Sequence, residues 1–236
     1  MSSVVILGYH GINTQPSNVK GGQKFRRAAS SLEMDIEHAR RMGYQIISFY
    51  ELSLMRMGLQ EHKDSVILTF DDALISNHDY AVPVLLRNNA PATFFVPTDL
   101  IDRETHFTSA IVRDLAQRYP FFAIESHGAA HVNLKELSRD EAQADLFRSR
   151  EKLKSLGVDS RVLALPYGDV NTPAMQAIAS EVGFEFVRTA IAGAVQTSAI
   201  NALDLPCYIL HEFSDVKGLL NRREGWPYSM PRGFRP

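Results

Sequence analysis

Val66-Ile67-Leu68-Thr69-Phe70-Asp71-Asp72 is an apolar run that ends on two adjacent carboxylates. A run this short, apolar at almost every position, suits a strand buried on both faces, as in parallel sheets covered by helices. Seven further runs share that character: residues 4–7, 46–49, 92–96, 121–124, 162–165, 184–187 and 208–210. Helix signals fall between them. Leu32, Ile36 and Ala39 share one face of a helix over 31–42, which Gly43 stops. A second helix covers 80–88, with Pro83 in its first turn. Ser138-Arg139-Asp140-Glu141 is a capping box that opens a helix running toward Gly157. Thr172-Pro173 starts another, which Gly183 closes. Strand and helix alternate regularly, which predicts a parallel α/β architecture, either a barrel or a doubly wound sheet.

Composition narrows the function classes. The chain has 236 residues, 45% hydrophobic and 22% charged, the mix of a globular domain rather than of a disordered chain, a collagen or a coiled coil. Without an internal repeat or a dividing linker, it reads as one domain over 1–236, with the Pro/Gly/Arg-rich stretch 222–236 as an irregular C-terminal strap. Cys207 is the single cysteine, so no disulfide framework is expected. A net charge of −2 argues against a nucleic-acid surface. No apolar run approaches the ~18–20 residues of a membrane span. The N-terminal run 4–7 is shorter than a signal-peptide core, so a cytoplasmic location is the expectation.

Three clusters sit where predicted strands end, the place where α/β folds bind ligands. Asp71-Asp72 juxtaposes two charges that repel unless a cation lies beside them; an isolated pair serves equally well as a helix cap. His127-Gly128-Ala129-Ala130-His131 spaces two imidazoles by four residues, which puts both on one side of a helical turn. One carboxylate and two histidines leave positions open on a metal, the arrangement of a catalytic rather than a structural site. Pro166-Tyr167-Gly168 is a turn that can aim backbone N–H groups at an oxyanion, or can simply connect two elements.

Together these stretches resemble the polysaccharide deacetylases, the NodB-homology or carbohydrate esterase 4 family. The run 66–72 is similar to that family's first motif, Ser126-His127-Gly128-Ala129-Ala130-His131 to its second and Ala164-Leu165-Pro166-Tyr167-Gly168 to its third. Ala92-Thr93-Phe94-Phe95-Val96-Pro97-Thr98 resembles the family strand after the first motif. The resemblance spans nearly the whole chain. It implies a deformed (β/α) barrel of about seven parallel strands with one divalent metal in a groove, Zn2+ by ligand type, with Co2+ or Ni2+ able to substitute. By resemblance, Asp72, His127 and His131 hold the metal and Asp71 is the general base. Pro166 and Tyr167 meet the substrate, the Tyr167 N–H helping to hold the oxyanion.

Two histidines compete for the general acid. The family uses a histidine on a late apolar strand, which His211 resembles. Leu7-Gly8-Tyr9-His10-Gly11-Ile12 resembles instead the poly-N-acetylglucosamine deacetylase subgroup with permuted motif order, in which that histidine comes first. The helix over 31–42 with the following Gly43-Tyr44-Gln45-Ile46-Ile47-Ser48 resembles the same subgroup. His10 is therefore the first candidate and His211 the second.

Three positions depart from the family pattern. Ala164 stands where many members carry an Arg that orients the catalytic Asp, and residues 184–189 offer no clear acidic partner for one, so that charge pair reads as lost whole. Ala73 replaces a common glycine, as does Glu125, which would either crowd the groove or accept from a ligand histidine. The expected activity is metal-dependent removal of an N-acyl group, acetyl above all, from an amino-sugar saccharide. A non-sugar amide substrate and a non-catalytic saccharide-binding relative are the alternatives. The sugar, its linkage and the oligomeric state are not legible.

Overall fold

A computed structural model describes residues 2–14, 25–168 and 172–221. The strap over 222–236, with Arg222, Arg223, Trp226 and Tyr228, lies outside the described residues. The chain opens with β1 (Ser3–Tyr9), β2 (Gly11–Asn13), β3 (Arg26–Ala28), α1 (Ala29–Arg41), β4 (Gln45–Ile46) and α2 (Phe49–Arg56). It continues through β5 (Ser65–Phe70), α3 (Val82–Arg87), β6 (Ala92–Val96), α4 (Ser109–Arg118), β7 (Phe122–Ser126) and α5 (Arg139–Ser155). Then come β8 (Val162–Ala164), α6 (Pro173–Val182), β9 (Phe186–Arg188), β10 (Ala194–Gln196), β11 (Tyr208–Ile209) and α7 (Val216–Asn221).

The main sheet follows the order β10-β1-β5-β6-β7-β8-β9, parallel except for β10, which runs antiparallel to β1. The edge of β1 is shared: β10 takes its first half and β11 its second, with Leu7 opposite Tyr208 and Gly8 opposite Ile209. Just before β11, Leu205 bridges to Arg188 of β9. Residues 205–209 therefore link β9 to β1 at the carboxyl ends of the strands and curl the sheet into a deformed barrel.

Side chains alternate across this sheet as the strand period requires. Val4, Ile6, Ile67, Phe95, Val162, Ala164 and Phe186 cluster in the interior. Val5, Leu7, Val66, Leu68, Phe70 and Phe94 face outward onto α1, α3 and α4. The helix α2 inserts Phe49, Leu52 and Met55 into the interior, with Phe49 against Phe95 and Phe186.

Several elements differ from the sequence reading: β2, β3, β10 and α7 are additional, and two helices depart further. Residue 49 does not end a strand but starts α2, because Ser48 and Glu51 form a capping box. The helix α4, capped by Thr108, was not expected at all; its buried face is only Val112 and Leu115, too narrow a stripe to stand out in the sequence. Among the described residues, no helix is long and apolar enough to cross a membrane.

Candidate active site

The interior positions continue past the strand ends, and this is what gathers the site. Asp71 follows Ile67 and Thr69 in alternation, Arg188 follows Phe186, and His10 follows Ile6 and Gly8. The amide of Asp71 donates to the carbonyl of Tyr9 at 2.8 Å, which carries the β1–β5 pairing one residue past the end of β5, to Asp71. The next two residues are left-handed, Asp72 at φ 68° and Ala73 at φ 48°. Consecutive positive φ at non-glycines costs about 1–3 kcal/mol each and turns the Asp72 side chain back over the rim.

Asp71 is 3% exposed and forms a buried ion pair with Arg188, itself 1% exposed and stacked over Phe95 at 5.1 Å. Burial pushes the Asp71 carboxyl up, but Arg188, with His127 and His10 behind it, outweighs burial and holds it below the usual carboxylate range. Arg188 lies directly opposite Ala164 in the β8–β9 ladder. The charge pair expected to be missing is therefore present, its guanidinium supplied one strand further on at the same level. Arg188 escaped the sequence reading, although a cation immediately after the apolar run 184–187 was the available signal.

On the other side of Asp71 stands His10, with Nε2 3.9 Å from Oδ2. Burial lowers its pKa against the pull of Asp71 and Asp72. Its Nδ1 is buried without a hydrogen-bond partner, and its ring stacks on Phe25 at 5.1 Å. His211 is placed differently. Its carbonyl accepts from Arg27 Nη1 and its amide donates to Ser214, while the residue itself is exposed. Among the described residues its side chain has no ion pair with Asp71 or Asp72.

His127 and His131 do not share a helical turn. Residues 127–133 form an irregular loop, and left-handed geometry at Gly128 (φ 68°) and His131 (φ 53°) brings the two rings within 5.0 Å. Their Nε2 atoms lie 3.5 and 3.1 Å from Oδ1 of Asp72. His127 Nδ1 lies 2.8 Å from the carbonyl of Ala164, which fixes the tautomer with hydrogen on Nδ1 and the lone pair on Nε2. Asp72 Oδ1 is buried without a hydrogen bond. One atom each from Asp72, His127 and His131 thus lie within 4.8 Å of one another. Acceptors brought together in this way repel unless a cation lies among them, so the donor set fits a divalent metal. Burial raises Asp72, but with no cation between them, protonated rings at His127 and His131 would outweigh it and hold the carboxyl far below its usual range.

The other expected positions spread around this centre. Pro166 is buried, with Cγ 3.4 Å from where a Cβ on Gly128 would stand. Tyr167 is left-handed at φ 61°, 52% exposed, with its ring 5.2 Å from His131. Gly168 must be glycine: it is left-handed, and an added Cβ would meet Ala190 at 2.5 Å. Glu125 makes no hydrogen bond to His127 or His131 among the described residues and turns toward β8 instead. Its Oε2 accepts from Ser160 Oγ and the amides of Arg161 and Val162, replacing ladder partners where β7 and β8 splay apart. Burial still pushes it up to about 7.

His106 was not anticipated. Its loop pairs with the segment after Asp72, with the Phe107 amide on the Ala73 carbonyl and His106 opposite Leu74.

The family model described as polysaccharide deacetylase matches residues 58–187, more than half of the chain. The chain belongs to the polysaccharide deacetylase family. YxkH of Bacillus subtilis (strain 168), named as a polysaccharide deacetylase, is 28% identical over 91% of this chain and 72% of its own length. The fold is similar to that of the Streptococcus pyogenes deacetylase PplD, with a TM-score of 0.82 and 22% identity over 94% of this chain and 99% of that one. It is also similar to a de-N-acetylase from Aggregatibacter actinomycetemcomitans, with a TM-score of 0.81 and 17% identity over 93% and 99%. In this polysaccharide deacetylase, the matched span holds Asp71, Asp72, His127, His131 and Tyr167. Both groups that flank the Asp71 carboxylate, His10 and Arg188, lie outside it, one before its start and one directly after its end.

Proposed function

We propose that this polysaccharide deacetylase is a metal-dependent N-deacetylase acting on amino-sugar residues of a saccharide. The observation that carries this reading is the triad Asp72, His127 and His131 lying beside a buried, ion-paired Asp71. Those three residues would hold one divalent cation, Zn2+ by ligand type, with Co2+ or Ni2+ able to substitute. Such a cation, when bound, supplies Lewis acidity toward water and toward an acyl carbonyl.

The chain's own residues do the rest. Asp71 is the general base: Arg188 occupies its Oδ1, keeping the group ionised and leaving Oδ2 free to take a proton from the attacking water. His10, across from Oδ2, is the general acid; it delivers a proton to the departing amine nitrogen as the C–N bond breaks. The left-handed turn at Tyr167 and Gly168 presents backbone N–H toward the developing oxyanion. The exposed Tyr167 ring offers an apolar face to a sugar.

Incubation with oligomers of N-acetylglucosamine and a divalent cation tests the reading. Equal release of acetate and free amine is expected. Turnover confined to non-sugar amides would replace the substrate class, and no release from any amide would leave only saccharide binding.

A further inference from the structure

The loop that separates His127 from His131 is held from both sides. On the amide side, Ala129 N–H donates to Asp145 Oδ2 at 2.8 Å and Ala130 N–H to Oδ1 at 3.0 Å. Gly128 N–H donates to Ser126 Oγ, which is 2.7 Å from Ser149 Oγ. Asp145 and Ser149 are four apart on α5, so a single helix face meets the loop. On the carbonyl side, Gly128 and Ala129 accept from the amides of Thr98 and Asp99. Arg148 ties the two grips together, reaching Asp145 Oδ1 at 3.1 Å and Asp99 Oδ2 at 2.9 Å.

This loop has no helical ladder to shape it, so its form depends on those partners. Asp145 is the strongest of them: a buried carboxylate taking two neighbouring amides makes charge-assisted bonds in a low-dielectric setting. Gly128 is also required by it, because an added Cβ would stand 3.0 Å from Asp145 Oδ2.

We propose that Asp145 is a positioning residue that sets the spacing of the two imidazoles and thereby the affinity for the cation, without touching it. The proposal rests on the metal reading above. The geometry of ligands is commonly held by groups behind them, whose removal costs about 10–100-fold in metal affinity.

Asp145→Asn keeps the volume but turns an NH2 toward one of the two amides. Titration of metal-free protein with Zn2+ or Co2+ is expected to show binding weakened about 10–100-fold. Turnover is expected to recover toward wild type at saturating Co2+. Leu153→Ala, a buried change on the same helix away from the loop, is expected to lower the melting temperature and leave the affinity unchanged. In the wild-type chain without metal, the Ala130 amide should exchange slowly with solvent despite the exposure of that residue.

Affinity equal to wild type in a folded Asp145→Asn protein overturns the proposal, and so does rapid exchange at both Ala129 and Ala130. Equal weakening in Leu153→Ala also overturns it, since affinity would then follow global stability. A wild-type chain that binds no cation overturns the metal reading itself, a result the exchange measurement keeps separate.

Discussion

Arg188 faces Ala164 across the β8–β9 ladder and closes its guanidinium on Asp71. The small side chain at 164 and the large cation at 188 are complementary, since both point into one crowded interior where only one guanidinium finds a carboxylate. Burial and charge oppose each other at Asp71, and Arg188 decides the outcome.

Replacing that cation should therefore move a titration. In Arg188→Met, burial is opposed only by the weaker pull of His127 and His10, and the Asp71 carboxyl rises. The base is active when ionised, so the acid limb of the kcat/KM profile is expected to shift to higher pH. Leaving Asp71 buried without its partner should also cost about 3–5 kcal/mol in denaturant melts. The double variant Ala164→Arg with Arg188→Ala, which returns a guanidinium from the neighbouring strand, is expected to regain part of the lost rate. An acid limb that stays in place in Arg188→Met would contradict the assignment.

Asp71→Asn keeps size and polarity but removes the proton acceptor. Turnover is expected to fall by about 10²–10⁴-fold, the usual worth of a general base, with bound metal near the wild-type level. A variant retaining more than about a tenth of the activity would rule Asp71 out as the base.

The two candidate acids separate cleanly by mutation. His10→Ala is expected to lose far more activity than His211→Ala, with metal retained in both. His10 stands 3.9 Å from Asp71, whereas His211 is exposed on the segment that Arg27 anchors. The reverse order of losses, or equal small ones, would remove His10 from the mechanism.

Much of this arrangement was readable beforehand, for a physical reason. Asp71, Asp72, His127 and His131 follow apolar strands, and residues at the ends of parallel strands meet at one rim wherever the sheet curls. The long apolar runs placed the β5 and β6 strands to within a residue. What escaped depends on contacts between distant segments. Arg188 acts on Asp71 from 117 positions away, and sequence spacing carries no trace of that pairing. The shape of the 128–130 loop was misjudged because four-residue spacing suits a helical turn, whereas the structure reaches the same convergence through left-handed backbone and partners on α5. The helix α2 did announce itself through Ser48 and Glu51, but the apolar run 46–49 masked that signal.

A second buried ion pair supports the His10 side of the barrel. Arg27 forms two 2.7 Å bonds to Asp35, and Tyr9, adjacent to His10, donates to the same carboxylate at 3.0 Å. Arg27→Met or Asp35→Leu alone strands a buried charge and is expected to cost about 3–5 kcal/mol in denaturant melts. The double variant should cost clearly less than the sum of the two, the mark of direct coupling. Strict additivity would show that the pair does not act as a unit.

The central claim is that Asp72, His127 and His131 hold one divalent cation on which deacetylation depends. The most direct measurement titrates metal-free protein with Zn2+ or Co2+ while following acetate release from N-acetylglucosamine oligomers. Activity should rise in proportion to added metal and level off at one equivalent per chain, and Asp72→Ala should stay inactive throughout that range. Full acetate release without added cation, or an Asp72→Ala protein that responds as the wild type does, would contradict the claim.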